Sequence, residues 1–227
     1  METTLHRQLK ELYAQGDART EVSLDRYRID VVTDERLVEI QHGSLGAIRD
    51  KVARLCRRHQ VLVVKPLIVA KQLVKRKREG GPIVDRRRSP LRGSVLDLFD
   101  DLIHFTRVFP HPNLTLDVVL VETEEWRFPR RRSDRRSWRK EYVVEDKHLL
   151  EIRARHRLQT PADLLQLVNA RLPKTFDTKV LAEQLGIERW VAQRIAYCLR
   201  ETGAIQQIGK RGNTLLYTSM CSKRAAA

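Results

Sequence analysis

The sequence predicts an α/β protein with a mixed sheet flanked by helices, followed by a smaller C-terminal unit. Three observations carry this. Residues 21–32 and 37–41 alternate polar and β-branched side chains, as half-buried strands do. The amphipathic stretch Leu45 to His59 then leads into the apolar run Val61-Leu-Val-Val-Lys-Pro66, an order that implies a parallel crossover. Beyond residue 156 the pattern turns helical and closes on two short strand-like segments.

Thr3 to Gln15 reads as a helix with Leu5, Leu9, Leu12 and Tyr13 apolar. Two hairpins follow, one closed at Asp25-Arg26 and one by the loop Thr33-Asp34-Glu35-Arg36. This register pairs Val32 with Leu37 and sets Asp30 directly opposite Glu39, about 5 Å away on one face. Glu21 falls opposite Asp30, and Gln41 shares the face. Val22, Leu24, Ile29, Val31, Val38 and Ile40 fall on the other face as a core. Three carboxylates and an amide thus gather on one side. Opposed carboxylates repel, and a hard divalent cation with oxygen ligands removes that cost. The competing reading is a solvated polar face. Ser44 is placed to cap the crossover helix, which carries Leu45, Ile48, Val52, Leu55 and Cys56 on one side.

With Ile29-Asp30, Glu39-Ile40-Gln41, the crossover helix and Val61 to Val64, the chain resembles the PD-(D/E)XK nuclease superfamily over roughly its first 70 residues. The resemblance implies a restriction-endonuclease-like sheet. It makes Asp30 and Glu39, with the Ile40 carbonyl, ligands of Mg²⁺ or Mn²⁺, and it puts Gln41 where the superfamily usually has lysine. Gln41 cannot act as a base or carry charge, but its carbonyl can orient a water. Glu21, or alternatively Glu11, would complete the site. Lys65 is either a substitute for the missing charge or a strand-end lysine that reaches to solvent.

The 227 residues carry 44 Lys+Arg against 29 Asp+Glu, a formal charge of +15 that attracts polyanions. No run of 18 apolar residues and no signal peptide is visible, so a cytoplasmic protein without a membrane partner is expected. Three scattered cysteines exclude a disulfide framework or zinc site, and Cys56 and Cys198 fall on apolar helix faces. The basic residues cluster at Lys75–Arg78, at Arg86, Arg87, Arg88 and Arg92 within Arg86-Arg-Arg-Ser-Pro-Leu-Arg-Gly93, and from Arg130 to Lys140. Interleaved Ser and Gly suit phosphate contacts, and Trp126 and Trp138 beside the third cluster suit either base stacking or anchorage of a loop. Ser94 to Phe105 reads as a helix and Leu114 to Val121 as a long strand.

The domains expected are 1–155, with a motif core at 1–70 and a basic elaboration at 71–155, and then 156–227. In the latter, Thr160-Pro161 and Phe176-Asp177-Thr178 open helices. Leu181-Ala182, Leu185-Gly186, Ala192, Ile195-Ala196, Leu199 and Gly203 have helix-turn-helix spacing. With the strands around Lys210-Arg211-Gly212-Asn213 the unit resembles a winged helix. That resemblance makes Ile187 to Arg200 a recognition helix with Arg189, Gln193, Arg194 and Arg200 as polar contacts, and it makes Lys210 and Arg211 a wing tip. The chain also resembles an uncharacterised bacterial family in Thr4-Leu5-His6, Ile29-Asp30, Glu39-Ile40-Gln41, Arg87-Arg88-Ser89-Pro90 and Ala196-Tyr-Cys-Leu-Arg200. The expected activity is metal-dependent DNA endonuclease, with RNA and a homodimer left open. The alternatives are a non-catalytic DNA-binding regulator and a processing accessory that docks a protein partner.

Overall fold

The computed structural model describes residues 3–130, 141–168 and 171–220. The segment 131–140, with Trp138 and most of the third basic cluster, lies outside these residues, as does the tail from 221. Seven strands form one mixed sheet: β1 (Arg19–Leu24), β2 (Tyr27–Val32), β3 (Leu37–Ile40), β4 (Val61–Arg76), β5 (Ile83–Arg88), β6 (Leu114–Pro129) and β7 (Tyr142–Leu158). Their order is β1-β2-β3-β4-β6-β7, with β5 added beside β4. β3, β4 and β6 run parallel, and the other pairings are antiparallel. The α/β class and mixed sheet expected from the sequence are therefore present.

β4 is 16 residues long and continues ten residues past Pro66, where the sequence reading ended it. The sheet explains why proline is tolerated. Val64 gives its carbonyl to Gln41 of the β3 side, and in an extended strand Pro66 turns its missing N–H to that same side, where β3 has already ended. The vacated edge is taken first by the loop after β5, through Ser89 N–H to Lys71 O (2.9 Å) and Gly93 N–H to Val69 O (3.0 Å). β5 itself then pairs Gln72 to Arg76. The second basic cluster is thus strand from Arg86 to Arg88 and loop from Ser89 to Gly93. β5 and the distal halves of β4, β6 and β7 form a four-stranded arm beyond the main sheet.

Both faces of the main sheet are covered. Against one lies α1 (Thr4–Tyr13), whose Leu5 and Leu9 pack on Val31, Val38, Ile40, Leu62 and Val64. Against the other lie α2 (Arg49–Leu55), entered through a 3₁₀ turn capped by Ser44, and α3 (Leu98–Leu102), preceded by a Ser94/Asp97 capping box. Ile29, Leu37, Val61, Val63, Leu98, Phe99 and Leu102 form that second core. The expected single apolar face is corrected here: Leu24 and Ile29 pack in one core, whereas Val31, Val38 and Ile40 pack in the other. Glu21, with φ of 56°, marks the irregularity that turns the hairpin over at this point.

The C-terminal unit comprises α4 (Pro161–Val168), α5 (Thr178–Leu185), α6 (Arg189–Glu201) and the hairpin β8 (Ile205–Arg211)–β9 (Thr214–Ser219). Asp177 caps α5, and Gly186, left-handed at φ 62°, ends it and opens the turn into α6. Ala192, Ile195, Cys198 and Leu199 of α6 join the same buried cluster as Phe99 and Leu102. The two units therefore share a core, and β7 runs to Leu158, three residues past the boundary expected at 155.

Candidate functional site

The paired register Val31↔Val38 and Val32↔Leu37 is the one the turn residues imply, and continued by one residue it sets Asp30 across from Glu39. There the ladder stops. Thr33–Arg36 and Val31–Val38 are hydrogen-bonded positions, so Ile29–Ile40 would be the next. Instead the Ile40 N–H is donated to Asp30 Oδ2 at 2.7 Å. The Asp30 carboxylate takes the place of the Ile29 carbonyl and splays β2 from β3. Its other oxygen lies 3.4 Å from His6 Nε2 on α1. Burial works against the charged form of Asp30, but His6, the Ile40 N–H and Lys51 outweigh it, so its pKa lies below the usual carboxylate range.

Glu39 is 5 % exposed. Other side chains, not solvent, surround it, so the competing reading of a solvated polar face does not hold at Glu39. Lys51 of α2 reaches it, Nζ 2.5 Å from Oε1 and 2.5 Å from the Arg28 carbonyl. Burial pushes the Glu39 carboxyl up to about 7 despite the opposing pull of Lys51, and the nearby charge of Asp30 adds to the rise. The repulsion expected between the two carboxylates is thus answered here by Lys51 at Glu39 and by His6 and the Ile40 N–H at Asp30.

Gln41 sits one turn of backbone further on. Its N–H goes to Val64 O and its side-chain amide nitrogen to Ser44 O at 2.8 Å, which leaves the amide oxygen available as an acceptor. Glu21 is held by Lys10 and Arg28, and among the described residues no cluster of three or more His, Cys, Asp or Glu assembles. Glu11 is on the exposed side of α1, four residues from Arg7. Lys65 is buried and spoken for by Asp101 Oδ2 (2.6 Å) and the Gly43 carbonyl (2.7 Å), so it fastens the loop after β3 to α3. His42 packs near His6, ring centroids 5.5 Å apart, and burial lowers its pKa to about 4, so it is neutral at pH 7. Sequence reasoning missed His6, Lys10 and Lys51. For Lys51 a signal existed: it stands at the third position of the α2 turn facing β2 and β3.

The expected nucleic-acid contacts divide. Arg87, Arg88, Arg92, Arg189, Gln193 and Lys210 are exposed. Arg86 Nη1 lies 3.5 Å from Glu124, Arg194 pairs with Asp100 of α3, Arg200 with Glu201, and Arg211 with the α5 cap Asp177 at 3.0 Å. Trp126 is anchored, not free to stack: its Nε1 donates to Glu124 and Arg76 lies 4.0 Å from its ring. Cys56 and Cys198 are buried, and burial pushes their thiols up to about 11 and about 12. No helix among the described residues is long and apolar enough to cross a membrane.

No solved structure matches the chain. It is similar to an uncharacterized protein of Treponema pallidum (strain Nichols), 32% identical over 219 residues that cover 95% of this chain and 84% of the relative. Residues 3–159, which hold the whole seven-stranded sheet and the Asp30–Glu39 pair, match the family described as Domain of unknown function (DUF8091), and the chain belongs to that family.

Proposed function

We propose that the chain is a metal-dependent nuclease of the PD-(D/E)XK kind, acting on nucleic-acid phosphodiesters, with a winged helix-turn-helix formed by α5, α6 and the β8–β9 hairpin. The observation that carries the reading is the break of the β2–β3 ladder at Asp30 and Glu39, with a buried Glu39 carboxylate answered by the Lys51 ammonium. Such a carboxylate beside a second one fits a hard cation, and Lys51 holds that position by its ammonium. Asp30, Glu39 and the Ile40 carbonyl would hold Mg²⁺ or Mn²⁺. Bound there, the metal would supply an activated water and neutralise charge on the phosphate.

The chain's own residues have separable tasks. The Ile40 N–H and His6 keep Asp30 ionised and aimed between the strands. Lys51 brings to Glu39 the positive charge that Gln41 lacks, and once displaced from the carboxylate its ammonium can meet a phosphate oxygen. The Gln41 amide, steadied by Ser44, presents a carbonyl that accepts a hydrogen bond from water. Nicking of supercoiled plasmid and branched DNA with Mg²⁺ or Mn²⁺ tests the reading. Cleavage by the wild type and none by Glu39→Ala is expected. Tight binding without nicking under either metal would favour a non-catalytic DNA-binding regulator, a reading supported by the internal pairing of Glu39 with Lys51.

A further inference from the structure

The arginines of Arg86-Arg-Arg-Ser-Pro-Leu-Arg-Gly93 are not equivalent once folded. Arg86 is taken by Glu124. Arg87 pairs in register with Leu73, and Arg88 with Gln72, so the two point to opposite faces of the arm. The loop that follows is tightly fixed. The Ser89 and Gly93 N–H groups bond to β4, the Leu91 N–H bonds to Ser89 Oγ at 3.2 Å, and Arg92 Nη1 returns to the Ser89 and Leu91 carbonyls at 3.1 and 2.9 Å. A Cβ at Gly93 would sit 2.5 Å from the Ile68 carbonyl oxygen, so only glycine lets the loop approach β4 this closely. The result is a concave pocket of about 210 Å³, walled by Ala70, Arg88, Ser89, Arg92, Glu122 and Arg153.

We infer that this pocket is a subsite for a phosphate of a nucleic-acid strand, distinct from the Asp30–Glu39 site; the assignment of the ligand rests on the nuclease reading. Three guanidiniums from two separate stretches of chain, Arg88 and Arg92 at the end of β5 and just after it and Arg153 on β7, line it together with Lys71 against one carboxylate. Among the described residues Arg88 and Arg92 have no ion-pair partner, and planar guanidiniums match phosphate oxygens two at a time. Arg153 is held by Glu122 (2.5 Å) and Glu151 (3.1 Å), which fixes it at the pocket wall. The Ser89 hydroxyl accepts from Leu91 and keeps its own proton to donate. Along β4, Ala70 is seven residues beyond Val63, the register partner of Glu39, about 23 Å at about 3.3 Å per residue, so the pocket and the Asp30–Glu39 site are separate.

Binding of a fluorescein-labelled DNA duplex to the full chain in EDTA, followed by anisotropy over a salt series, tests this without any cleavage. Arg88→Gln/Arg92→Gln is compared with Arg57→Gln/Arg58→Gln, an exposed pair after α2 that removes the same net charge. The pocket variant is expected to lower the slope of log affinity against log salt by about 1.8, about 0.9 for each lost phosphate contact. The control pair is expected to keep the wild-type slope, and Glu122→Gln, which removes the one carboxylate lining the pocket, to bind several-fold more tightly. Equal slopes for the two double variants would overturn the inference. So would thermal stabilisation of the wild type by inorganic phosphate that Arg88→Gln/Arg92→Gln abolishes while the DNA slopes stay equal, because the pocket would then serve a small phosphorylated ligand. Failure to nick plasmid would defeat the nuclease reading and leave these slopes untouched.

Discussion

Glu39→Gln should make the protein progressively more stable than the wild type as pH rises. The carboxyl is 5 % exposed, and its pKa stands at about 7 against an ordinary value of 4.5. Below about pH 4.5 it is neutral in both folded and unfolded chains and contributes no pH dependence. Between 4.5 and 7 the folded chain holds a proton that the unfolded chain has released, so wild-type stability falls as pH rises, by up to about 1.4 kcal/mol per pH unit. Above 7 the loss is complete at about 3 kcal/mol. The glutamine amide mimics the neutral carboxyl and does not titrate. Lys51 loses its ion-pair partner in the variant, which shifts the whole difference by a constant but leaves its dependence on pH. The measurement is urea unfolding of both proteins at pH 5, 6, 7 and 8, with the difference in unfolding free energy plotted against pH. Titrations elsewhere are common to both chains and cancel. A difference that rises by about 2 to 3 kcal/mol across this range is expected. A flat or falling difference would show that Glu39 is ionised without cost, and the costly burial of its carboxylate would have to be given up.

On the proposed metal reading, Mg²⁺ or Mn²⁺ should raise the melting temperature of the wild type by mass action, and more at pH 8 than at pH 5.5, since the cation would bind the ionised Glu39; Asp30→Asn should abolish the rise. Because Asp30 is favoured in its charged form by His6 and Ile40, the same substitution should lower metal-free stability, which differential scanning fluorimetry in EDTA would register. If Lys51 supplies the site's positive charge, Lys51→Met should cut the nicking rate about 100-fold or more, and Gln41→Lys in that background should restore part of it, as timed plasmid assays would show. Phe99→Ala should cost about 3–5 kcal/mol and lower one cooperative transition read both by near-UV circular dichroism and by tryptophan fluorescence, because its ring lies in the core shared by the sheet and α6.

The hairpin register was readable from the sequence because the four-residue turn and the period of two leave only one pairing that keeps Val32 with Leu37. Helices α1, α5 and α6 were readable from caps and spacing: Thr3, Asp177 and Gly186 stand where their chemistry requires. The length of β4 was not, because Pro66 reads as a stop unless one knows that β3 leaves that edge free. The burial of Glu39 was not, because period-two alternation says which residues share a face and nothing about what covers it. Lys51 touches Glu39 across twelve residues of chain and His6 touches Asp30 across twenty-four, contacts that only tertiary packing creates. The basic clusters were visible as charge, but their division into paired and unpaired arginines depends on acids of β6 that no local pattern links to them.

β4 is one strand in sequence but is built as two in stability. Its first residues, Val61 to Val64, are buried among aliphatic side chains from both layers of helices. Its last, from Lys71 to Arg76, bury only Leu73 and Val74, which belong to neither helix-covered core, run beside Glu122, Glu124 and Glu125 and are held by charge pairs such as Lys71–Glu125 and Arg76–Glu145, both 3.0 Å. Aliphatic burial resists local opening, whereas ion pairs weaken as salt screens them. Amide hydrogens on a single continuous strand should therefore exchange in two populations. Those near Val63 would open only when the whole chain unfolds. Those near Val74 would open by partial melting of the arm, faster as ionic strength rises, and they would slow again when a polyanion lies across it.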